Sequence, residues 1–157
     1  KNEKNWFPMK NQIRYYTQLW TIKEAVYKSK LKSEEVDEVV MGHVLTSGLG
    51  QNPARQAAIN AGIDKEKTAT TINQVCGSGL ASVALAYNSI KCGDGNIIIA
   101  GGQESMSNSP HFINVRNGIK MGDGKIQDTM IIDGLWDIYN QYHMGHSILP
   151  GILTQIR

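Results

Sequence analysis

The hydrophobic pattern of the chain alternates between helical and strand periods. Apolar residues recur at helical spacing among lysines and Glu24, which predicts an amphipathic helix over about residues 16–30. Three segments rich in apolar and β-branched residues predict strands: residues 39–45 (VVMGHVL), 68–75 (TATTINQV) and 96–100 (NIIIA). The third is continuously apolar, which is typical of a parallel sheet covered on both faces.

Two further helices are predicted between these strands. Asn52 is a good N-cap and Pro53 suits the first helical position, so a helix is expected over residues 53–61, ending at Gly62. Residues 79–91 are apolar almost all round a helix, which predicts burial on most sides. Strands alternating with helices predict an α/β fold with right-handed crossovers.

The composition and the periodicity of the sequence change after Gly101. Residues 105–145 hold four of the six methionines, several Asn and Gly residues, and no long periodic segment. We therefore expect a first α/β domain over residues 1–104 and an elaborated excursion over residues 105–157. The excursion ends atypically after residue 145, where Pro150 and Gly151 interrupt an apolar run.

Composition and charge exclude several classes of protein. The chain has 157 residues, 41% of them apolar, and its 16 basic and 14 acidic residues are too evenly balanced for a nucleic-acid-binding surface. No run approaches the roughly 20 apolar residues of a membrane-spanning helix. Two cysteines form neither a disulfide framework nor a metal site, so a reducing, cytoplasmic location is the default. Residues 1–10 lack the apolar core of a signal peptide, and a targeting segment ahead of Lys1 stays open.

The most informative segment is residues 73–80, NQVCGSGL. Cys76 follows the end of a predicted strand just where a predicted helix begins, and two glycines permit a tight turn there. A thiol at the positive end of a helix is favoured as the thiolate, by roughly 0.3–1 kcal/mol. That effect is too small to ionise most of the thiol at neutral pH, so nucleophilic chemistry at Cys76 also requires a base.

Two other interpretations of this segment stay open on the residues alone. In the first interpretation, Cys76 is a small buried apolar residue, as most lone cysteines are. In the second, Gly77, Gly79 and Ser82 approximate a dinucleotide-binding fingerprint, with Glu104 as the ribose-binding acid. A serine at the third position and a cysteine before the first glycine make that match weak.

Four segments, in this order, resemble the thiolases, the family of acetyl-CoA acetyltransferases and 3-ketoacyl-CoA thiolases. They are residues 48–58 (GLGQNPARQAA), 73–80, 100–107 (AGGQESMS), and 133–135 (DGL) followed by 142–145 (YHMG). The last block is most similar to the biosynthetic, acetoacetyl-CoA-forming branch. Ketoacyl synthases share the fold in broad terms, but residues 73–79 fit thiolases better. The resemblance implies an incomplete N-terminal half of a layered α/β/α thiolase-like fold with a loop-domain excursion.

The resemblance also implies a reaction. Cys76 would accept an acyl group from acyl-CoA as a thioester, and the carbanion of a second acetyl-CoA would attack it to give acetoacetyl-CoA; thiolysis is the reverse. The backbone N–H of Cys76 would donate to the oxyanion, a contact typically worth about 3 kcal/mol. CoA is then a substrate, and neither a cofactor nor a metal is expected.

The excursion corresponds to the family's loop domain, which covers the pantetheine arm of CoA and helps to build a tetramer. Leu135, His143 and Met144 match positions that line the pantetheine channel, although a purely structural role for His143 stays equally open. His43, His111 and His146 match no motif and are assigned no role. Cys92 is interpreted as structural.

The resemblance covers less than half of a thiolase. Residues 1–14 do not resemble the family's first strand, and the sequence departs from the family after Gly145. An activating His, a second Cys and an oxyanion-hole Asn, which the family carries further along, have no counterpart here. We therefore expect little or no activity from this chain alone. An uncovered sheet edge and apolar face would favour a homo-oligomer or association with an intact thiolase. The alternative function is a non-catalytic thiolase-like interaction module.

Overall fold

The computed structural model describes the backbone of residues 13–146 and the side chains of residues 20–146. The chain divides after Ser105 into two units, which are described separately. The first unit contains the helices α1 (Ile13–Ser29), α2 (Pro53–Ala61) and α3 (Ser78–Cys92), and the strands β1 (Glu38–Gly42), β2 (Thr68–Ile72) and β3 (Ile98–Gly102). Every helix and strand predicted for this unit is present. The expectations for residues 1–12 and 147–157 lie outside the described residues.

The three strands of the first unit form a parallel sheet in the order β2-β1-β3. Glu38, at the start of β1, pairs with Thr68 and Ile98, while Gly42, at its end, pairs with Ile72 and Gly102. The strands β1 and β2 end earlier than predicted, at Gly42 and Ile72. The carboxyl ends of all three strands therefore lie at one edge of the sheet, and the Cys76 segment follows β2 there.

One face of the sheet is covered by α2, with α1 packed beside it. Val39 and Met41 of β1 belong to the same buried cluster as Ile22 of α1 and the alanines of α2. Asn52 caps α2 as predicted, because its side-chain oxygen accepts from the N–H of Arg55 at 3.2 Å. The helix ends at Gly62, whose φ of 89° suits glycine.

The other face of the sheet carries α3, which gives the layered α/β/α arrangement. The helix approaches the sheet through its small buried residues Ser78, Ser82 and Ala86. The prediction that α3 is buried on most sides is wrong, because a helix contacts a sheet along one face only. Its large apolar residues are exposed: Leu80 by 78%, Val83 by 50%, Leu85 by 40%, Tyr87 by 61% and Ile90 by 45%.

The second unit has little regular structure among its described residues, as its sequence predicts. It contains two short antiparallel pairs, β4 (His111–Phe112) with β5 (Gln127–Asp128) and β6 (Trp136–Asp137) with β7 (Tyr142–His143). A single π-helical turn spans Ile131–Leu135. The assignment of residues 105–157 to CoA contact and oligomerisation stays a prediction.

No helix within the described residues is both long enough and apolar enough to cross a membrane.

Candidate functional site

Cys76 lies in a tight turn between the end of β2 and the start of α3. The N–H of Gly77 donates to the carbonyl of Gln74, and the N–H of Ser78 donates to the carbonyl of Val75, both at 3.1 Å. Cys76 is exposed and its thiol is free. The interpretation of Cys76 as a small buried apolar residue is therefore wrong.

The hydroxyl of Ser78 forms two hydrogen bonds to the backbone of the Cys76 turn. It accepts from the backbone N–H of Gln74 at 2.8 Å and donates to the carbonyl of Val75 at 2.6 Å. Ser78 is buried, whereas the turn residues around Cys76 are exposed. One buried side chain after Cys76 thus holds two backbone groups before it.

Val75, immediately before Cys76, has an unusual backbone conformation. Its φ is 50°, in the left-handed region that β-branched residues rarely adopt. The side chain of Asn73 supports this conformation, because its Oδ1 accepts from the N–H of Val75 at 2.9 Å. Strain of this kind persists where the surrounding structure imposes it, often at functional sites.

A polar cluster of buried His43 and Gln103 with exposed Glu104 lies at the same edge of the sheet. His43 follows β1 and is only 2% exposed. Its Nδ1 lies 3.1 Å from Nε2 of Gln103, and its Nε2 lies 3.2 Å from Oε1 of Glu104. Burial lowers the pKa of His43 below its ordinary value, and the nearby carboxylate of Glu104 opposes that shift.

Glu104 also ties the segment after β1 to the end of β3. Its carboxylate accepts from the N–H groups of Val44 at 2.9 Å and Leu45 at 3.1 Å. Both carboxylate oxygens of Glu104 are thus engaged by the chain itself, which counts against the dinucleotide interpretation.

The sequence interpretation assigned His43 no role and considered Glu104 only as a ribose ligand. The one available signal was topological: His43 lies near the end of one predicted strand and Glu104 follows another. The carboxyl ends of adjacent parallel strands meet at one edge.

In the second unit, the structure brings Leu135, His143 and Met144 together. The N–H of Met144 donates to the carbonyl of Leu135 at 2.8 Å, and His143 pairs with Trp136 across the β6–β7 hairpin. Nδ1 of His143 accepts from the N–H of Gly145 at 3.1 Å, so in the neutral ring Nε2 carries the proton. Leu135 and His143 are half-buried there, and Met144 is exposed. Cys76 belongs to the first unit.

The remaining candidates lie elsewhere. His111, on β4, lies 3.8 Å from Asp128 of β5, and His146 is exposed. Cys92 is exposed at the end of α3. No cluster of three or more potential metal ligands occurs among the described residues.

Comparison with known proteins gives a consistent result. The family model of the thiolase N-terminal domain matches residues 16–148. An acetyl-CoA acetyltransferase of Cupriavidus necator is 60% identical over 125 residues, which is 79% of this chain and 32% of that protein. The cytosolic acetyl-CoA acetyltransferase of Rattus norvegicus is 49% identical over 124 residues, which is 79% of this chain and 31% of that protein.

A solved structure agrees with these sequence matches. The crystal structure of the Acat5 thiolase from Ascaris suum in complex with coenzyme A matches 88% of this chain and 36% of that one. Its TM-score is 0.84 and its sequence identity is 34%. The chain spans about a third of the length of the curated relatives it matches.

Proposed function

This chain belongs to the thiolase family, and on that premise we propose that Cys76 accepts an acyl group from a CoA thioester. The sulfur of Cys76 attacks the thioester carbonyl, the bond from that carbon to the CoA sulfur breaks, and CoA leaves with the proton that the thiol gives up. The product is acyl-Cys76. The observation that carries the proposal is an exposed thiol in a hydrogen-bonded turn at the start of α3.

In the second half-reaction, the α-carbon of a second acetyl-CoA loses a proton and attacks the acetyl group on Cys76. A carbon–carbon bond forms, the bond to the Cys76 sulfur breaks, and acetoacetyl-CoA is released while the thiol regains a proton. Thiolysis of a 3-ketoacyl-CoA is the same sequence in reverse. CoA acts as substrate throughout, and the proposed reaction uses neither a separate cofactor nor a metal.

The second unit supports a pantetheine-binding role for Leu135, His143 and Met144. Leu135 and Met144 offer apolar contacts to the thin CoA arm, and Nε2–H of His143 offers one hydrogen bond to a carbonyl or bridging water. The coenzyme A in the Acat5 thiolase structure is consistent with this proposal.

We expect the two half-reactions to differ sharply in this 157-residue chain. The first lacks only the activating histidine that the resemblance implies, whereas the second also lacks a base at the α-carbon, because no motif of this sequence supplies the second cysteine or the asparagine. Acetylation of Cys76 is therefore expected to exceed net formation or thiolysis of acetoacetyl-CoA.

The test is intact-mass spectrometry after mixing the chain with acetyl-CoA. We expect one added acetyl group in the parent chain and in Cys92→Ser, and none in Cys76→Ser. Cys92 is the matched control because it is also exposed and free. An adduct on Cys92, or none on the parent chain, rejects the proposed chemistry.

A non-catalytic interaction role is the second candidate, favoured by the exposed apolar side of α3. In that role the chain associates with itself or with an intact thiolase without turnover. Sedimentation of the chain alone and mixed with the C. necator relative tests this role. We expect a complex in at least one sample, and we expect Val83→Asp to weaken it. A chain that is monomeric in both samples rejects the interaction role.

A further inference from the structure

We propose that Gly42 is a positioning residue for Cys76, an inference that rests on the acyl transfer proposed above. Gly42 is the last residue of β1 and belongs to none of the four segments that resemble the family. Its role follows from its missing side chain, because the backbone at the start of α3 occupies the space that a side chain would need.

The contact at Gly42 leaves no room for a methyl group. A Cβ there would lie 2.4 Å from the carbonyl carbon of Ser78 and 2.6 Å from both the Ser78 oxygen and the Gly79 nitrogen. All three are backbone atoms, so no side-chain rotation relieves the clash. Any side chain at Gly42 must therefore displace the start of α3 or the end of β1.

Displacement of Ser78 would reach Cys76 directly. The N–H of Ser78 and its hydroxyl hold the carbonyl of Val75, and the hydroxyl also accepts from the N–H of Gln74. The clash therefore occurs at the residue that fixes the Cys76 turn, two positions away from the thiol.

The neighbouring strand leaves α3 little freedom to move sideways. A Cβ at Gly102 of β3 would lie 3.4 Å from the Cα of Gly79, so backbone approaches backbone there as well. The hydroxyl of Ser82 donates to the carbonyl of Gly101 at 2.8 Å, and this bond opposes sliding of α3 along β3. A side chain at Gly42 would therefore lift the start of α3 away from the sheet.

The glycines of the sheet provide a graded series. A Cβ at Gly102 would reach only the near limit of ordinary van der Waals contact, at 3.4 Å, whereas a Cβ at Gly42 would lie 2.4–2.6 Å from backbone atoms that must then shift. Gly101→Ala is the matched control, since its Cβ would meet only the flexible end of Met41, at 3.8 Å. All three substitutions add one methyl group at the carboxyl end of the sheet.

The experiment measures single-turnover acetylation of Cys76 by acetyl-CoA across this series, with thermal melting to select folded variants. For Gly42→Ala we expect the maximal rate to fall by about tenfold to a hundredfold, as misplacements of about 1 Å do. The acetyl-CoA concentration at half-maximal rate should stay unchanged. Loss of folded protein alone would instead lower the labelled fraction. Gly101→Ala should match the parent chain, and Gly102→Ala should lie much closer to the parent chain than Gly42→Ala does.

A second readout does not depend on acyl transfer. Iodoacetamide alkylates Cys76 and Cys92 in the same chain, and the ratio of the two rates reports the placement of Cys76 against α3. We expect this ratio to fall about two- to fivefold in Gly42→Ala, the factor that a helix N-terminus contributes to a nearby anion.

These two readouts separate the positioning role from the proposed function. If the parent chain shows no acetylation, the proposed function fails, and the alkylation ratio alone decides the role of Gly42. A folded Gly42→Ala with parental acetylation rate and alkylation ratio overturns the inference. If Gly42→Ala does not fold, Ser78→Ala decides, because it removes the hydrogen bonds through which a displaced Ser78 would act on the Cys76 turn: a ratio below the parental one supports the inference, and a parental ratio overturns it.

Discussion

Asp37 and Glu104 each link β1 to β3 through two backbone hydrogen bonds, at opposite ends of the sheet. Asp37, just before β1, accepts from the N–H groups of Asn96 and Ile97, just before β3, at 2.8 and 3.1 Å. Glu104, just after β3, accepts from two consecutive N–H groups just after β1. Each carboxylate thus satisfies two backbone donors of the neighbouring connection, and together they hold β1 and β3 in register.

The Asp37 contact predicts an acid-sensitive stability. The N–H groups of Asn96 and Ile97, aided by Lys67, hold the pKa of Asp37 below its ordinary value of 3.8. The carboxylate therefore stabilises the fold fully above that value, and its contribution is lost as the pH falls through the lowered pKa. We expect Asp37→Asn to lower the urea midpoint at pH 7 and to lose less stability than the parent chain on acidification.

The control for Asp37 is Asp94→Asn, which removes an exposed carboxylate after α3. It should leave the urea midpoint at pH 7 close to that of the parent chain. Equal midpoints for Asp37→Asn and Asp94→Asn would show that the contact of Asp37 contributes nothing.

His43 predicts a second pH effect, in a higher range. Burial lowers the pKa of His43 below its ordinary value of 6.5, so the unfolded chain binds a proton before the folded chain does. Stability is therefore expected to decline as the pH falls from about 6.5 towards the lowered pKa of His43. His43→Gln should remove that decline while keeping a polar side chain beside Gln103 and Glu104. An identical slope of unfolding free energy against pH in both chains would rule this out.

Val75 predicts a gain of stability from substitution. A left-handed conformation costs a non-glycine residue roughly 1–2 kcal/mol, and asparagine tolerates it better than valine. We expect Val75→Asn to raise the free energy of unfolding by about 1 kcal/mol, measured by urea titration. Val83→Asn, at an equally exposed valine within α3, should not raise it. No gain at Val75 would mean that the turn carries no backbone strain.

Ser78 predicts a local loss of order. Ser78→Ala leaves the N–H of Gln74 without its side-chain partner, at a cost of about 0.5–1.5 kcal/mol, because Gln74 is exposed and water can replace the hydroxyl. Hydrogen exchange should accelerate at Gln74. Ser82→Ala is the comparison, because it also removes a buried hydroxyl but one bonded to Gly79 and Gly101. Unchanged exchange at Gln74 in Ser78→Ala would show that the hydroxyl does not brace the turn.

Local chemistry was predictable from the sequence. Asn52, Pro53 and Gly62 specify the ends of α2 within a few residues, and the alternation of strands and helices specifies the α/β class. The position of Cys76 between β2 and α3 followed from the same local signals.

Relationships between distant segments were not predictable in the same way. The apolar residues of α3 indicate only that the helix is suited to a buried position. Whether these residues are buried depends on which other elements pack against the helix. His43 and Glu104 meet because β1 and β3 are neighbours, which a single sequence does not reveal. Gly42 resembles any strand glycine until the start of α3 is placed above it.

The parallel order β2-β1-β3 also constrains how the chain folds. The central strand β1 has no hairpin partner, since Glu38 pairs only with Thr68 and Ile98, each on the far side of at least one helix. Neither strand pair can form until a loop of tens of residues has closed, and loop closure of this kind slows folding. We therefore expect the sheet to form after the helices, which can begin locally, and its edges to be open to other chains during that interval.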